Sequence, residues 1–315
     1  MGICRLPKRY LIGTGGWAYF RVPGMHPLVA YSRAYDFVEV NSTFYVLPSL
    51  SRAEHWRKIV PEDFEFTVRC NRIVSHKFKF RPTDDALTVF EENIRICKKL
   101  RAELLHVQIP KSLKPNYSLA GLIREFLSSA RTNGVRLVIE TRGVQPDEKF
   151  LKLMQDLNMI HCVDLSKGEK PAVESDVLYS RLFGKGVHNI YQPTDEELKM
   201  IDEMASKGDH EKVLLCFHFV KMYKDAARLK VYKQTGKFPM VTRSTGLSSL
   251  AEVLSEDAKF PTTKQKLISE QGWKLIDLSK DKRVRASALL KKLSDRTFRS
   301  LDDVIAELSG KFKGS

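Results

Sequence analysis

The chain has 315 residues, 43% of them hydrophobic and 29% charged, and its 53 Lys+Arg against 38 Asp+Glu leave a net charge of +15. That length holds one domain of about 250 residues plus a small appendage, and the composition excludes a disordered chain, collagen or a disulfide scaffold. No run reaches the roughly 18 apolar residues that cross a bilayer, and the opening MGICRLPKRY has no signal-peptide core and puts Leu6 where an acylation motif needs Ser or Thr.

Eight short apolar runs alternate with longer segments: Tyr10–Thr14, Phe37–Val40, Phe64–Cys70, Leu104–Ile109, Val135–Thr141, Ile160–Val163, Val177–Leu182 and Val213–Phe219. Rich in β-branched and aromatic residues, they suit strands buried on both faces, and eight repeats of strand and crossover predict a closed (β/α)8 TIM barrel. Helical spacing marks the crossovers Asp84–Leu100 and Ser118–Thr132, and Pro193-Thr194 opens a helix to Ala205. The sixth crossover, Leu165–Asp176, is short and carries Gly168 and Pro171, so the barrel is expected to be irregular there. Beyond Thr245 the rhythm changes to a small helical module with helices at Leu247–Ser255, Thr263–Gln271, Arg285–Leu293 and Leu301–Leu308, the last opened by Ser300-x-x-Asp303 and closed by Gly310. The domains are read as 1–245 and 246–315; the second holds 14 cations and 10 acids, so +11 of the charge falls in the first. The cysteines, Cys4, Cys70, Cys97, Cys162 and Cys216, form no Cys-x-x-Cys pair, which argues against a disulfide framework or zinc ribbon and for a cytoplasmic location.

Ile12-Gly13-Thr14-Gly15-Gly16-Trp17-Ala18-Tyr19, then Tyr35-Asp36-Phe37-Val38-Glu39-Val40-Asn41-Ser42-Thr43-Phe44-Tyr45, resembles the YecE-like family, domain of unknown function 72. The resemblance continues through Trp56, Pro61–Val68, Ser75-His76, Gln108-Ile109-Pro110, Glu140-Thr141-Arg142, Asp164, Arg181–Gly184, Tyr191 and Ala226-Ala227. It implies a TIM barrel and brings no established activity. The chain departs from the family pattern at Phe183, where a His is usual, and at Phe217-His218-Phe219, where an Asn pair is expected. The tail is similar, through Phe260–Ile268 and Thr297–Ile305, to a small helical module of unknown role in prokaryotic proteins.

Active sites of such barrels lie at the C-terminal ends of the strands. The residues there are Trp17 and Tyr19, Glu39, Asn41 and Tyr45, Arg69, Asn71 and His76, Gln108, Glu140 and Arg142, Asp164, Arg181 and His218, with Tyr191 added by the resemblance. Glu39 and Glu140 interrupt apolar strands, and a buried carboxylate needs a partner. Arg69, Arg142 and Arg181 can supply it, either as a structural ion-pair network or as an anion clamp around one carboxylate working as general acid or base. Glu39, Glu140, Asp164 and His76 are the catalytic candidates; Trp17, Tyr19, Asn41, Tyr45, Arg69, Asn71, Gln108, Arg142, Arg181 and Tyr191 are the substrate-binding ones. His106, His161 and His218 read as interior histidines, whereas the resemblance places Ser75-His76 in a loop facing the site.

A multinuclear metal centre of the endonuclease IV kind needs more ligands than Glu39, His76, Glu140, Asp164 and His188 or His218 provide. No cofactor is expected beyond a single Mg²⁺ on Asp164 or Glu140 with a substrate phosphate. The Gly13–Gly16 turn lacks a P-loop lysine and reads as a tight turn.

Three cationic stretches stand out. Arg69–Arg81 carries Arg69, Arg72, Lys77, Lys79 and Arg81 without an acid, with Phe78 and Phe80 interleaved as rings for bases. Lys221–Lys237, with Lys221 and Lys224, has six cations and one acid, and Lys274–Arg299 has nine and three. Together they point to DNA, RNA or another polyanion bound across the strand-end face, with phosphodiester or glycosidic hydrolysis at Glu39, Glu140 and Asp164 as the attached chemistry. Two alternatives stay open: an enzyme acting on a phosphorylated sugar or nucleotide, and a non-catalytic scaffold whose tail recruits a protein.

Overall fold

The computed structural model describes residues 9–313, so the expectations placed on Cys4 and Leu6 lie outside the described residues. Eight parallel strands form one sheet: β1 (Arg9–Thr14), β2 (Phe37–Val40), β3 (Glu65–Arg69), β4 (Leu104–Gln108), β5 (Arg136–Glu140), β6 (Ile160–Cys162), β7 (Val177–Leu182) and β8 (Lys212–Phe217). The order is β6-β5-β4-β3-β2-β1-β8-β7, with β1 paired along its length to β8. The ends β6 and β7 meet through a single parallel bridge, Val163 to Ser180, which nearly closes the barrel. That seam follows from the sixth crossover, where Leu165–Lys167 makes one 3₁₀ turn and Gly168 ends it at φ +78°. A dozen residues there leave no room for a helix that packs along the sheet, as the sequence implied.

The other early crossovers are helical: α1 (Pro27–Ala34), α2 (Leu50–Lys58), α3 (Asp84–Leu100), α4 (Tyr117–Ser129) and α5 (Glu148–Asp156). Thr83, Asn116 and Asp147 cap α3, α4 and α5 by accepting from N–H groups of the first turn. The barrel interior is filled by Leu11, Phe37, Leu104, Val138, Ile160, Val177, Tyr179 and Leu214.

The chain divides into two compact units. One holds the residues up to Phe183 with Ile201–His218; the other holds Gly184–Met200 and the residues from Phe219 on. Helix α6 (Asp195–Ala205) begins in the second unit, which also contains α7 (Met222–Thr235), α8 (Gly246–Ser255), β9 (Thr262–Thr263), α9 (Lys264–Gln271), β10 (Leu275–Ser279), β11 (Lys282–Arg285), α10 (Ser287–Leu290), β12 (Thr297–Phe298) and α11 (Leu301–Lys313). Its core gathers Leu250, Leu254, Ile276, Leu290, Phe298, Val304 and Leu308. Segments far apart in sequence join here because Asp195 bonds both Arg228 (2.6 Å) and Arg283 (2.7 Å), while Gln192 accepts from the N–H of Leu275 (2.8 Å).

The tail corrects the purely helical expectation. β10 and β11 form an antiparallel hairpin and β12 pairs with β9. The expected helix Arg285–Leu293 shrinks to the single turn of α10, because Lys282–Arg285 are spent on β11. The last helix runs past Gly310 to Lys313. Among the described residues Cys70, Cys97, Cys162 and Cys216 are buried free thiols, and no helix is long and apolar enough to cross a membrane.

Candidate functional site at the strand C-terminal ends

Parallel register carries Gln108 to the side of Glu140, Glu140 to Cys162, Arg69 to His106 and Arg181 to Cys216. Polar residues ending different strands therefore share one level inside the barrel, and they join into one continuous chain of hydrogen bonds from Glu39 to Asn41. Arg181 Nη2 donates to Glu39 Oε1 (2.9 Å) and its Nη1 bonds Glu140 Oε2. Gln108 Nε2 donates to Glu140 Oε1 (2.9 Å) while its Oε1 accepts from Arg69 Nη2 (2.8 Å). Arg69 Nη1 then donates to Asn41 Oδ1 (2.6 Å), one residue beyond the end of β2. The charges balance at two guanidiniums and two carboxylates.

Beneath this chain of bonds, His106 Nε2 donates to Glu140 Oε2 (2.9 Å), and Tyr179, which accepts from Thr67 (2.8 Å), donates to Glu39 Oε2 (3.0 Å). Burial by itself would raise both carboxyls; Arg181 and then His106 outweigh it and hold Glu39 and Glu140 well below the usual range. Burial would lower Arg181, yet Glu39 and Glu140 push it well up. Burial and then Arg181 lower His106, and the same two causes bring His218 down to about 4. These directions favour uncharged imidazoles beside charged carboxylates. Glu39 is 0% exposed and Arg181 2%, so this group is a buried ion-pair network with no oxygen of Glu39 facing solvent.

Asp164 is engaged in its own loop. Its Oδ1 accepts from the N–H and hydroxyl of Ser166, and its Oδ2 from the N–H of Phe183 (3.1 Å) and from Lys167 (3.3 Å). Burial raises its pKa. Asn71 is likewise spent on structure, donating to Thr43 O (2.9 Å) and accepting from the N–H of Ile73 (3.0 Å). The carboxylates named for Mg²⁺, Glu140 and Asp164, thus direct their oxygens at protein donors. Two triads, Glu39/Cys216/His218, with His218 partly buried, and the fully buried His106/Glu140/Cys162, have donor atoms within 4.8 Å of one another. Each includes a carboxylate bonded to Arg181, with which a cation would compete.

The two departures from the family pattern lie against each other: Phe183 stacks on His218 at 4.7 Å, and Arg181 sits 5.0 Å from the Phe183 ring centre. Arg181 Nε donates to His218 Nε2 (3.2 Å). A Cβ on Gly15 would meet the same imidazole at 2.2 Å, and Gly16 has φ +127°. The Gly13–Gly16 turn thus admits His218 and reverses the chain.

Open groups surround this closed layer. A π-turn, Ile73–Lys77, follows β3 and carries His76, whose Nδ1 bonds Ser75 Oγ (2.8 Å) and whose ring meets Phe44 edge-on at 5.1 Å. Burial and then Arg69, Arg142 and Arg72 lower the pKa of His76, with Glu140 acting weakly against them. Three guanidiniums therefore act on one half-buried imidazole. Among the described residues neither Arg72 nor Arg142 has a carboxylate partner, and Arg72 lies 5.8 Å from the centre of the Tyr45 ring. Tyr45 and Tyr19 are 61% and 84% exposed, and Trp17 packs edge-on against Trp56.

The three cationic stretches separate. After β3, Arg72, Lys77, Lys79 and Arg81 are exposed with no carboxylate partner among the described residues. Phe80 does not offer a ring there: it is buried against Phe126, at 6.4 Å, and Phe78 takes the ammonium of Lys77 at 4.8 Å. In the second unit Lys221 (2.8 Å) and Lys224 (3.2 Å) both bond Glu256, and Arg228 lies buried between Asp195 and Asp225. Lys274, Arg283, Arg285 and Arg296 are paired as well. Tyr191 belongs to that unit, its hydroxyl donating to Glu197 and its ring covered by Arg285.

His106, read from the sequence as an interior histidine, is buried at 0% exposure, but its bond to Glu140 and the roles of Tyr179 and Phe44 were not foreseen. His106 left a trace as the one polar residue at the middle of Leu104–Gln108, and Phe44 as the ring of the Thr43-Phe44-Tyr45 run; Tyr179 left none, since a tyrosine suits any buried strand.

Comparison with known proteins agrees with the architecture. The family described as "Protein of unknown function DUF72" matches residues 11–235. The UPF0759 protein YecE of Escherichia coli K12 is 34% identical over 67 residues, which are 21% of this chain and 25% of that protein. A DUF72 family protein from Thermotoga maritima MSB8 superposes with a TM-score of 0.57 at 18% identity, covering 72% of this chain and 99% of the other. One from Enterococcus faecalis V583 gives 0.57 at 16%, covering 71% and 94%.

Proposed function

Because the chain belongs to the DUF72 family, whose description assigns no activity, its function has to be read from its own strand ends, and we propose that it binds nucleic acid there through phosphate contacts. The observation that carries this reading is the set of cations without a carboxylate partner among the described residues, Arg72, Lys77, Lys79, Arg81 and Arg142, on the loops that follow β3 and β5. By contrast Lys221, Lys224, Arg228 and Lys274 in the second unit are each bonded to an acid. Arg69, bonded to Asn41 and Gln108, and His76, fixed by Ser75, line the same place with donors.

Binding is favoured over hydrolysis by the state of the acids. Glu39 and Glu140 are clamped by Arg181, and Asp164 holds its own loop. A general acid or base needs a proton site within reach of substrate, and of the four catalytic candidates His76 is the one only half buried.

Arg72→Ala and Arg142→Ala should each weaken binding of a fluorescein-labelled oligonucleotide and lower the slope of log affinity against log salt by about 1. Lys221→Ala, which removes a cation already paired with Glu256, should change neither. An affinity indifferent to salt, or untouched in the Arg72/Arg142 double variant, would remove the reading. Saturation by a nucleoside monophosphate as tight as by the oligonucleotide would favour a small phosphorylated ligand instead.

A further inference from the structure

We propose that the strand-end face selects single-stranded nucleic acid, with Tyr45 as the platform on which one unpaired base stacks; the inference rests on the phosphate-binding reading above. Tyr45 has more than half of its surface open, at 61%, and its hydroxyl has no partner among the described residues. Nothing in the fold needs the ring exposed, and a buried alternative would remove an apolar face from water.

The ring is nonetheless held in place. The backbone N–H of Tyr45 donates to Ser42 O (3.0 Å) at the end of the 3₁₀ turn Asn41–Phe44. The Thr43 hydroxyl lies 2.6 Å from both Val40 O and Arg69 O, and Asn71 donates to Thr43 O. Phe44 meets Tyr45 edge-on at 5.1 Å and is itself covered by the Arg69 guanidinium at 3.8 Å. A pre-organised ring loses little entropy when a ligand stacks on it. The Arg72 guanidinium lies over the Tyr45 ring, 5.8 Å from its centre, with no carboxylate partner among the described residues, and is the cation nearest to hand for the phosphate of a base stacked on the ring's open surface. A duplex keeps its bases paired and stacked on one another, so it can use the arginines but cannot use the ring.

The test compares three probes of equal length by fluorescence anisotropy: an oligodeoxythymidylate, the same phosphodiester chain with abasic sites, and a duplex. The single strand should bind more tightly than the other two. Tyr45→Ala should lose at least about fivefold for the oligodeoxythymidylate and nothing for the abasic chain or duplex, with the salt slope unchanged. Tyr45→Phe should bind as the wild type does, because stacking needs no hydroxyl. Binding that depends on Arg72 and Arg142 but is equal for all three probes, or is unaffected by Tyr45→Ala, overturns this inference and leaves phosphate binding standing. Absence of binding to any of the three overturns both.

Discussion

Arg181 closes β7 with a guanidinium that touches Glu39, Glu140 and His218 and is covered by Phe183. Two carboxylates at this depth are tolerable only while that cation is present, since an unpaired buried charge is strongly unfavourable. Arg181→Met should therefore lower stability by about 3–5 kcal/mol, read as a shift in the urea midpoint at constant m-value. A loss below about 1 kcal/mol would mean that the network is wet and loosely held. At this scale the sequence was informative about identity and silent about state. That Glu39 and Glu140 needed an arginine follows from their apolar strands. That one arginine serves both, leaving Arg72 and Arg142 without a carboxylate partner among the described residues, depends on which strand ends face each other across the barrel.

Among the elements, the sixth crossover was legible because Gly168 and Pro171 punctuate a segment too short for a helix. Gly168 sits at φ +78° with open space around the position of a Cβ, so the penalty of Gly168→Ala comes from the left-handed backbone alone. We expect it to destabilise by about 1 kcal/mol, measurable by chemical denaturation; no change would show that the turn relaxes to a right-handed conformation at no cost. The β10/β11 hairpin was hidden for a related reason. β11 reads Lys-Arg-Val-Arg, and its arginines look like solvated charges until Asp195, Asp277 and Glu197 are found opposite them. Hydrophobic alternation, the signal by which a strand is read, is absent when the inward side chains are paired cations. The same pairing takes Lys221, Lys224, Arg228, Lys274, Arg283, Arg285 and Arg296 out of the candidate interface.

For the whole molecule, two histidines, His161 and His218, make stability depend on pH. His161, with Nδ1 accepting from the N–H of Ala172 (3.0 Å) and Nε2 facing Thr141 (3.0 Å), is driven by burial to about 4, and His218 reaches about 4 through burial and Arg181. Their folded-state values lie below the ordinary 6.5 of the unfolded chain. Above that value both states are neutral and stability is intact. As pH falls from 6.5 toward 4 the unfolded chain takes up protons that the folded one refuses, and stability drains away. His161→Gln, neutral at every pH, should flatten the decline over that window by roughly 3 kcal/mol at most; equal slopes for variant and wild type would show that His161 protonates without unfolding.

Composition, strand rhythm and the Ile12–Tyr19 and Tyr35–Tyr45 motifs determined the barrel, its irregular seam and the family, because those signals are local and repeat along the chain. Only the tertiary structure decided which charges are spent and which are free. With 53 cations against 38 acids, it pairs Lys221, Arg228, Lys274 and Arg283 in the second unit with acids from other segments and leaves Arg72 and Arg142 without a carboxylate partner among the described residues. Charge is additive along a sequence, whereas neutralisation depends on distance in space, and distance is set by the fold.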